Sequence, residues 1–107
     1  QKVYIWLDMP ATMHHYKNWE TETDPVTLKN RYAKVLEASG FQILSFMDHH
    51  FSPQGYTAVW LLGESHFAIH TFPEDGRSYI ELTSCHAGKH AQFLKLLTQI
   101  DISPSLA

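Results

Sequence analysis

The sequence predicts an α+β fold: a two-layer sandwich with an antiparallel sheet and two helices packed on one face of it. Three observations support this prediction. Short apolar runs with strand-like alternation recur along the chain, two longer segments carry apolar residues at helical spacing, and most of the strands are joined by short turns. Strands joined in this way are usually antiparallel neighbours. The 107 residues are near the commonest domain size, so we predict a single domain over residues 1–107.

The first half of the predicted fold is a strand, a loop and a helix. Residues 2–8, "KVYIWLD", predict a strand, in which successive apolar side chains would lie on opposite faces. The polar, patternless residues 9–23 predict a loop. Asp24 and Pro25 together predict a helix start, an N-cap followed by proline in the first turn. Gly40 is the residue type that ends helices in a left-handed conformation, so we predict the helix to end there.

The second half is predicted as four strands and a helix. The strands fall at residues 41–47, 56–62, 66–72 and 78–83, and the helix at residues 89–100. Turn chemistry separates them, as in "SPQG" and "PEDG". The predicted order is therefore β-α-β-β-β-β-α.

Composition excludes several classes of protein. The formal net charge of −3 argues against a nucleic-acid partner, which requires a basic surface. The single cysteine, Cys85, cannot form an internal disulfide and indicates a cytoplasmic protein. No apolar run reaches the roughly 20 residues of a membrane span, and no signal peptide is evident.

The chain is rich in histidine, with eight residues, two pairs of which are adjacent in sequence. Zinc sites need three or four converging ligands, often at helical or Cys-x-x-Cys spacing. Neither spacing is clear here, so we predict no metal site and interpret most of the histidines as surface residues.

The run "GESHFAIHTFPE" is unusual for a strand because it contains a serine and two histidines. A hydrolase elbow would have glycine two positions after Ser65, but Phe67 stands there and no helix follows. The remaining interpretation from the residues alone is a strand-edge serine without a function.

Alternation along the strand adds a second observation. His66 and His70 should share the face opposite to the helices, Cys85 ends the next strand, and Thr57 begins the preceding one. If the strands are antiparallel neighbours, these side chains and Ser65 are expected to meet on one face of the sheet.

Several spaced motifs resemble one family. "GESHFAIHTFPE", followed by "YIELTSC" and preceded by "HHFSPQGYT", is similar to the bacterial and archaeal S-adenosylmethionine decarboxylase proenzymes. The hallmark of that family is Glu-Ser-His, a histidine four residues later, Thr-aromatic-Pro-Glu, and a strand that ends near a cysteine. The resemblance covers residues 49–85 well and the following helix loosely.

The resemblance implies self-cleavage between residues 64 and 65. Ser65 would be the nucleophile that attacks the carbonyl of Glu64, and the new N-terminus would become a covalent pyruvoyl cofactor. His70 would be the base for this processing and Thr57, where the family usually has serine, would supply a hydroxyl. Residues 1–64 would form one chain and residues 65–107 the other.

The resemblance also implies the reaction and its proton donor. The mature enzyme would be a carboxy-lyase that decarboxylates S-adenosylmethionine for spermidine biosynthesis, with the pyruvoyl group as electron sink. Cys85 matches the family's proton donor, and an ordinary thiol, which titrates at about pH 8.5, is still protonated near neutral pH.

Substrate-binding residues follow from the same resemblance. Phe51 and His70 would lie against the adenine, Glu74 would bind the ribose hydroxyls, and Trp6 would form a second aromatic wall. The family's sites lie between two protomers, so the resemblance implies a homodimer with its active sites at the interface and a small molecule as substrate.

Two alternatives remain open. The first is a sibling pyruvoyl-dependent decarboxylase of ornithine or arginine, since relatives of this family act on these amino acids with the same cofactor. The chain departs from the family at His86, where glycine usually follows the cysteine. The chain could also be an unprocessed, non-catalytic paralogue that binds a nucleoside or pairs with an active partner.

Overall fold

The computed structural model describes residues 11–100, which form an α+β fold. In chain order the elements are β1 (His14–Glu20), α1 (Pro25–Ala38), β2 (Ile43–His50), β3 (Tyr56–Leu62), β4 (Ser65–Phe72), β5 (Arg77–Ser84) and α2 (Ala87–Leu97). A short 3-10 turn, Pro73–Asp75, joins β4 to β5.

The described strands form one five-stranded sheet in the order β1-β5-β4-β3-β2. Each neighbouring pair is antiparallel. Three consecutive hairpins build β2 to β5, and β1 completes the sheet beside β5. The predicted antiparallel sheet with two helices on one face is confirmed.

The helices cover one face because their apolar side chains interlock with inward-facing residues of the central strands. The rings of Tyr32 in α1 and Phe93 in α2 lie 5.0 and 5.6 Å, centroid to centroid, from the ring of Phe67 in β4. All three side chains are buried. Burying rings of this size is a large part of what holds a small domain together.

The start of α1 is as predicted. Asp24 is the N-cap, and its Oδ2 accepts a hydrogen bond of 2.9 Å from the backbone N of Thr27. This hydrogen bond lowers the pKa of Asp24, since it favours the charged carboxylate. Pro25 occupies the first turn, where its missing N–H costs nothing.

The prediction of a loop over residues 9–23 is wrong for β1. This strand lies at the edge of the sheet, and its helix-facing positions include polar residues, which hide the alternation. Glu20, for example, is buried because its carboxylate pairs with Arg31 and accepts a hydrogen bond from Tyr32. The predicted strand at residues 2–8 lies outside the described residues.

The other predicted elements are confirmed with small shifts at their ends. β2 begins two residues later than predicted and continues to His50, and its pairing with β3 has a register shift between Ile43 and Ser45. Gly76 closes the turn before β5 with φ +67°, a conformation that glycine adopts without steric cost.

The second face of the sheet carries no helix among residues 11–100. Apolar side chains nevertheless lie on it: Met47 is 68% exposed and Leu61 is 53% exposed. Val59 and Ala68 are cross-strand partners on the same face, next to Met47. We call this surface the open face.

None of the described helices is long and apolar enough to cross a membrane.

Candidate active site

The residues singled out by the sequence fall into two clusters at opposite ends of β4. The first cluster, at the predicted cleavage site and therefore called the cleavage-site cluster, consists of Glu64, Ser65 and Cys85, which line a cavity of about 490 Å³. The ligand-pocket cluster lines a second cavity, of about 300 Å³, and consists of Phe51, Thr57, His70 and Glu74.

A two-residue turn, Gly63 and Glu64, positions the cleavage-site cluster by joining β3 to β4. Glu64 has φ +57° and is the one non-glycine residue with positive φ in the described part of the chain. Gly63, which would tolerate that conformation, does not adopt it. A side chain in the left-handed region costs roughly 1–2 kcal/mol, so the peptide before Ser65 is strained.

Ser65 begins β4 and is 6% exposed. Its Oγ donates a hydrogen bond of 2.8 Å to Oγ of Ser84, its cross-strand partner on β5. Ser84 Oγ also accepts a hydrogen bond of 2.9 Å from the backbone N of His86. Sequence reasoning missed Ser84. The signal that would have found it is the antiparallel register of β4 and β5, which places Ser84 opposite Ser65.

Cys85 directly follows β5 and reaches the turn of Glu64. Its Sγ donates a hydrogen bond of 3.3 Å to Oε1 of Glu64. The side chain is partly exposed, and it contributes to the same cavity as Ser65. The thiol is therefore open to a small molecule and lies in contact with the side chain of the residue that precedes Ser65.

The ligand-pocket cluster is built on the paired strands β3 and β4. Thr57 and His70 are cross-strand partners, and Oγ1 of Thr57 lies 2.9 Å from Nδ1 of His70, at hydrogen-bond distance. Tyr79 on β5 stacks on the other side of His70, with ring centroids 6.3 Å apart. Both neighbours restrict the orientation of the imidazole.

Phe51 and Glu74 lie at the rim of the same pocket. Phe51 is 52% exposed and meets His49 edge-on at a centroid distance of 4.5 Å. Oε1 of Glu74 accepts a hydrogen bond of 3.4 Å from Nε2 of Gln54. An exposed ring and a carboxylate facing one cavity can bind a flat heterocycle and a hydroxylated sugar.

Tyr56 lies beneath this pocket and contributes to its lining. Burial, together with the hydrogen bond of 2.7 Å from its hydroxyl to Oδ2 of Asp48, raises the pKa of Tyr56 above its ordinary value. Its phenol is therefore neutral and stays a hydrogen-bond donor at neutral pH.

The two clusters are not brought together within one chain. Ser65 and His70 are five positions apart on a strand, which places their Cα atoms roughly 17 Å apart. They also lie on opposite faces, because Ser65 follows the alternation of the helix-facing Phe67 and Ile69. The expectation that serine, thiol, hydroxyl and imidazoles all meet on one face is therefore wrong for a single chain.

Two further predictions concern metal ligands and Trp6. Within residues 11–100 no three His, Cys, Asp or Glu side chains converge as metal ligands would. Trp6, the predicted second aromatic wall, lies outside the described residues.

Comparison with known proteins identifies one family. Residues 13–100 match the family model of S-adenosylmethionine decarboxylase. Among curated relatives named S-adenosylmethionine decarboxylase proenzyme, that of Brevibacillus brevis (strain 47) is 42% identical over 62 residues, covering 58% of this chain and 47% of the relative. That of Methanococcus aeolicus is 34% identical over 76 residues, covering 67% of this chain and 63% of the relative.

The match to Prochlorococcus marinus (strain MIT 9313) is 36% identical over 62 residues, covering 58% of this chain and 50% of the relative. The chain thus spans about half the length of several curated relatives that it matches. Among solved structures, an adenosylmethionine decarboxylase from Aquifex aeolicus has the same fold, with a TM-score of 0.66 at 22% identity over 87% of this chain and 81% of that one. The family model covers most of the chain, and the protein belongs to the S-adenosylmethionine decarboxylase family.

Proposed function

We propose that this protein is a self-cleaving, pyruvoyl-dependent enzyme that decarboxylates S-adenosylmethionine for spermidine biosynthesis. The observation that carries the proposal is the arrangement at the β3–β4 turn. A buried serine follows a strained peptide there, and a cysteine thiol contacts the residue before it. The names of the relatives support the substrate, and they favour it over ornithine or arginine.

Self-cleavage would begin at Ser65. Its Oγ attacks the carbonyl carbon of Glu64, the peptide C–N bond breaks, and the product is an ester with a free amine on Ser65. A base then removes the α-proton of residue 65, the Cβ–Oγ bond breaks, and the upstream chain leaves with a carboxylate at Glu64. Water converts the remaining dehydroalanine into a pyruvoyl group and ammonia.

The residues at the turn fit this chemistry. The left-handed conformation of Glu64 raises the energy of the uncut chain, and cleavage relieves it. Ser65 is held with its hydroxyl in a defined hydrogen bond, and the cavity beside it has room for the amino-acid end of a substrate. A pyruvoyl group at this position would supply an electron-withdrawing carbonyl that accepts charge as carbon dioxide leaves.

Cys85 is proposed to return a proton to the substrate α-carbon after carbon dioxide leaves. Cys85→Ala is therefore expected to cut itself normally but to release carbon dioxide about 10²- to 10⁴-fold more slowly, the usual effect of losing a general acid. Intact mass measures the first property and release of labelled carbon dioxide the second. Undiminished turnover in the variant would show that another group donates the proton.

The ligand-pocket cluster is proposed to act on the partner chain of a homodimer. The roughly 17 Å between the clusters leaves His70 out of reach of Ser65 in its own chain. The open face supports a partner, since large apolar side chains such as Met47 and Leu61 lie exposed on it. In this dimer His70 and Thr57 of one protomer serve the Ser65 of the other.

In the same dimer the substrate would lie between the protomers. Phe51 would stack on the adenine, and Glu74 would accept hydrogen bonds from the ribose hydroxyls. The exposure of both side chains at the rim of one cavity supports these roles.

The single cysteine supports a cytoplasmic location for the enzyme.

The substrate is tested with the purified, self-cleaved protein. We expect carbon dioxide to be released from carboxyl-labelled S-adenosylmethionine and not from ornithine or arginine. Glu74→Gln should raise KM for the adenosyl substrate more than it lowers kcat, because the lost contact is to the ribose. Release from ornithine or arginine alone would overturn the assigned substrate and leave self-cleavage intact.

A further inference from the structure

A second serine, Ser84, holds the proposed nucleophile. Its Oγ accepts the hydrogen bond from Ser65 Oγ at 2.8 Å, and its side chain is fully buried. The backbone N–H of His86 donates to the same oxygen at 2.9 Å. The Ser84 hydroxyl is thus fixed by the main chain at the start of α2 and in turn fixes the hydroxyl of Ser65.

This contact selects one orientation of Ser65. A serine side chain has three staggered rotamers, and in a buried position the one that keeps a hydrogen bond is favoured. In the described part of the chain, the hydrogen bond to Ser84 satisfies the Ser65 hydroxyl as a donor. With the hydroxyl proton directed at Ser84, the lone pairs of Ser65 Oγ are free to approach the carbonyl carbon of Glu64.

We infer that Ser84 is a positioning residue for self-cleavage, which orients Ser65 for attack on Glu64. The inference rests on the proposed function. The attack needs no external proton donor, since the new amine of residue 65 takes up the proton that Oγ gives up. A neutral hydroxyl is too weak a base to keep that proton, so Ser84 acts by orientation.

The test compares Ser84→Ala with Ser78→Ala. The two serines are a matched pair, because both belong to β5, both face the helices and both are 0% exposed. Ser78 lies far from the cleavage site, and its Oγ donates to the backbone oxygen of Glu22 at 2.6 Å. Ser84→Ala should slow the appearance of the cut chains about 10- to 100-fold, as expected for a misplaced nucleophile. Ser78→Ala should cut at the wild-type rate.

A second readout isolates the step at which Ser84 acts. In a His70→Ala background the α-proton is not removed, so the ester at residue 65 should accumulate and be cleaved by added hydroxylamine. Ser84→Ala in this background should lower the rate of hydroxylamine cleavage by the same factor as self-cleavage, and Ser84→Thr, which keeps a hydroxyl, should restore it. A residue with a merely structural role would leave the rate of ester formation unchanged in a folded chain.

The outcomes separate the two claims. If the wild-type chain cuts and folded Ser84→Ala cuts equally fast, the positioning role of Ser84 is wrong and the proposed function stands. If the wild-type chain never cuts, both are wrong. If circular dichroism shows that Ser84→Ala does not fold, Ser84→Cys decides: its thiol is of similar size but a weak acceptor, so slow cutting supports the inference and wild-type cutting overturns it.

Discussion

Replacing Ser65 by alanine is expected to leave the chain uncut, as one species of 12.3 kDa that persists on incubation. Without Oγ no ester can form at the Glu64 carbonyl, so the loss of cleavage should be complete. The fold should survive, because β4 lies between β3 and β5 and alanine fits where serine does. Intact mass over time measures cleavage, and a thermal melt confirms folding.

The matched control for this variant is again Ser78→Ala, which also removes a buried, hydrogen-bonded hydroxyl from the helix-facing side of the sheet. It should cut like the wild type. If Ser65→Ala were still cut between residues 64 and 65, the nucleophile would be another group and the assigned mechanism would fail.

The second large effect is rescue between chains. Neither His70→Ala nor Ser65→Ala should cut when produced alone, the first for lack of the base and the second for lack of the nucleophile. When the two are co-expressed, a mixed dimer should bring Ser65 of one protomer to His70 of the other. The His70→Ala chain should then be cut, up to about half of its molecules if the chains pair at random in a symmetric dimer.

The control is co-expression of His70→Ala with a chain that carries both substitutions. No mixed dimer then contains an intact base, so no cut product should form. Differently tagged chains allow intact mass to show which one is cut. Cleavage of the His70→Ala chain on its own would mean that His70 is not the base, and an absence of rescue in a proven mixed dimer would contradict the shared site.

Much of the fold can be predicted from local sequence signals. Asp24 and Pro25 mark the start of α1 because capping and the fixed φ of proline are local effects. β3 and β4 are predicted because both are short, apolar-rich runs and Gly63 marks the break between them. In each case the information lies within a few residues of the element that it specifies.

Elements that depend on distant partners are harder to predict. β1 carries few apolar residues and is a strand because β5, whose paired residues come 58 to 70 positions later in the chain, pairs with it. Glu20 looks like a surface residue, yet it is buried by Arg31 and Tyr32 from α1. Neither fact is visible from the composition of residues 9–23 alone.

In the candidate site, too, local motifs predict some features, whereas others depend on how distant strands pair. Spaced motifs single out Ser65, His70 and Cys85 as candidates, but the motifs do not say which side chains can reach one another. The structure supplies the register, and with it the separation of the two clusters and the contact between Ser65 and Ser84. The alternation of β4 alone already implies that Ser65 and His70 lie on opposite faces, since they are an odd number of positions apart.

Self-cleavage at residue 65 is the central claim, and the intact mass of the wild-type protein after incubation tests it most directly. The wild-type chain should give two species, residues 1–64 and 65–107, which are 64 and 43 residues long. The smaller should be lighter, by one ammonia, than a peptide that begins with serine, because its first residue has become a pyruvoyl group. A single species of 12.3 kDa that persists, or a smaller fragment that retains an N-terminal serine, would contradict the account.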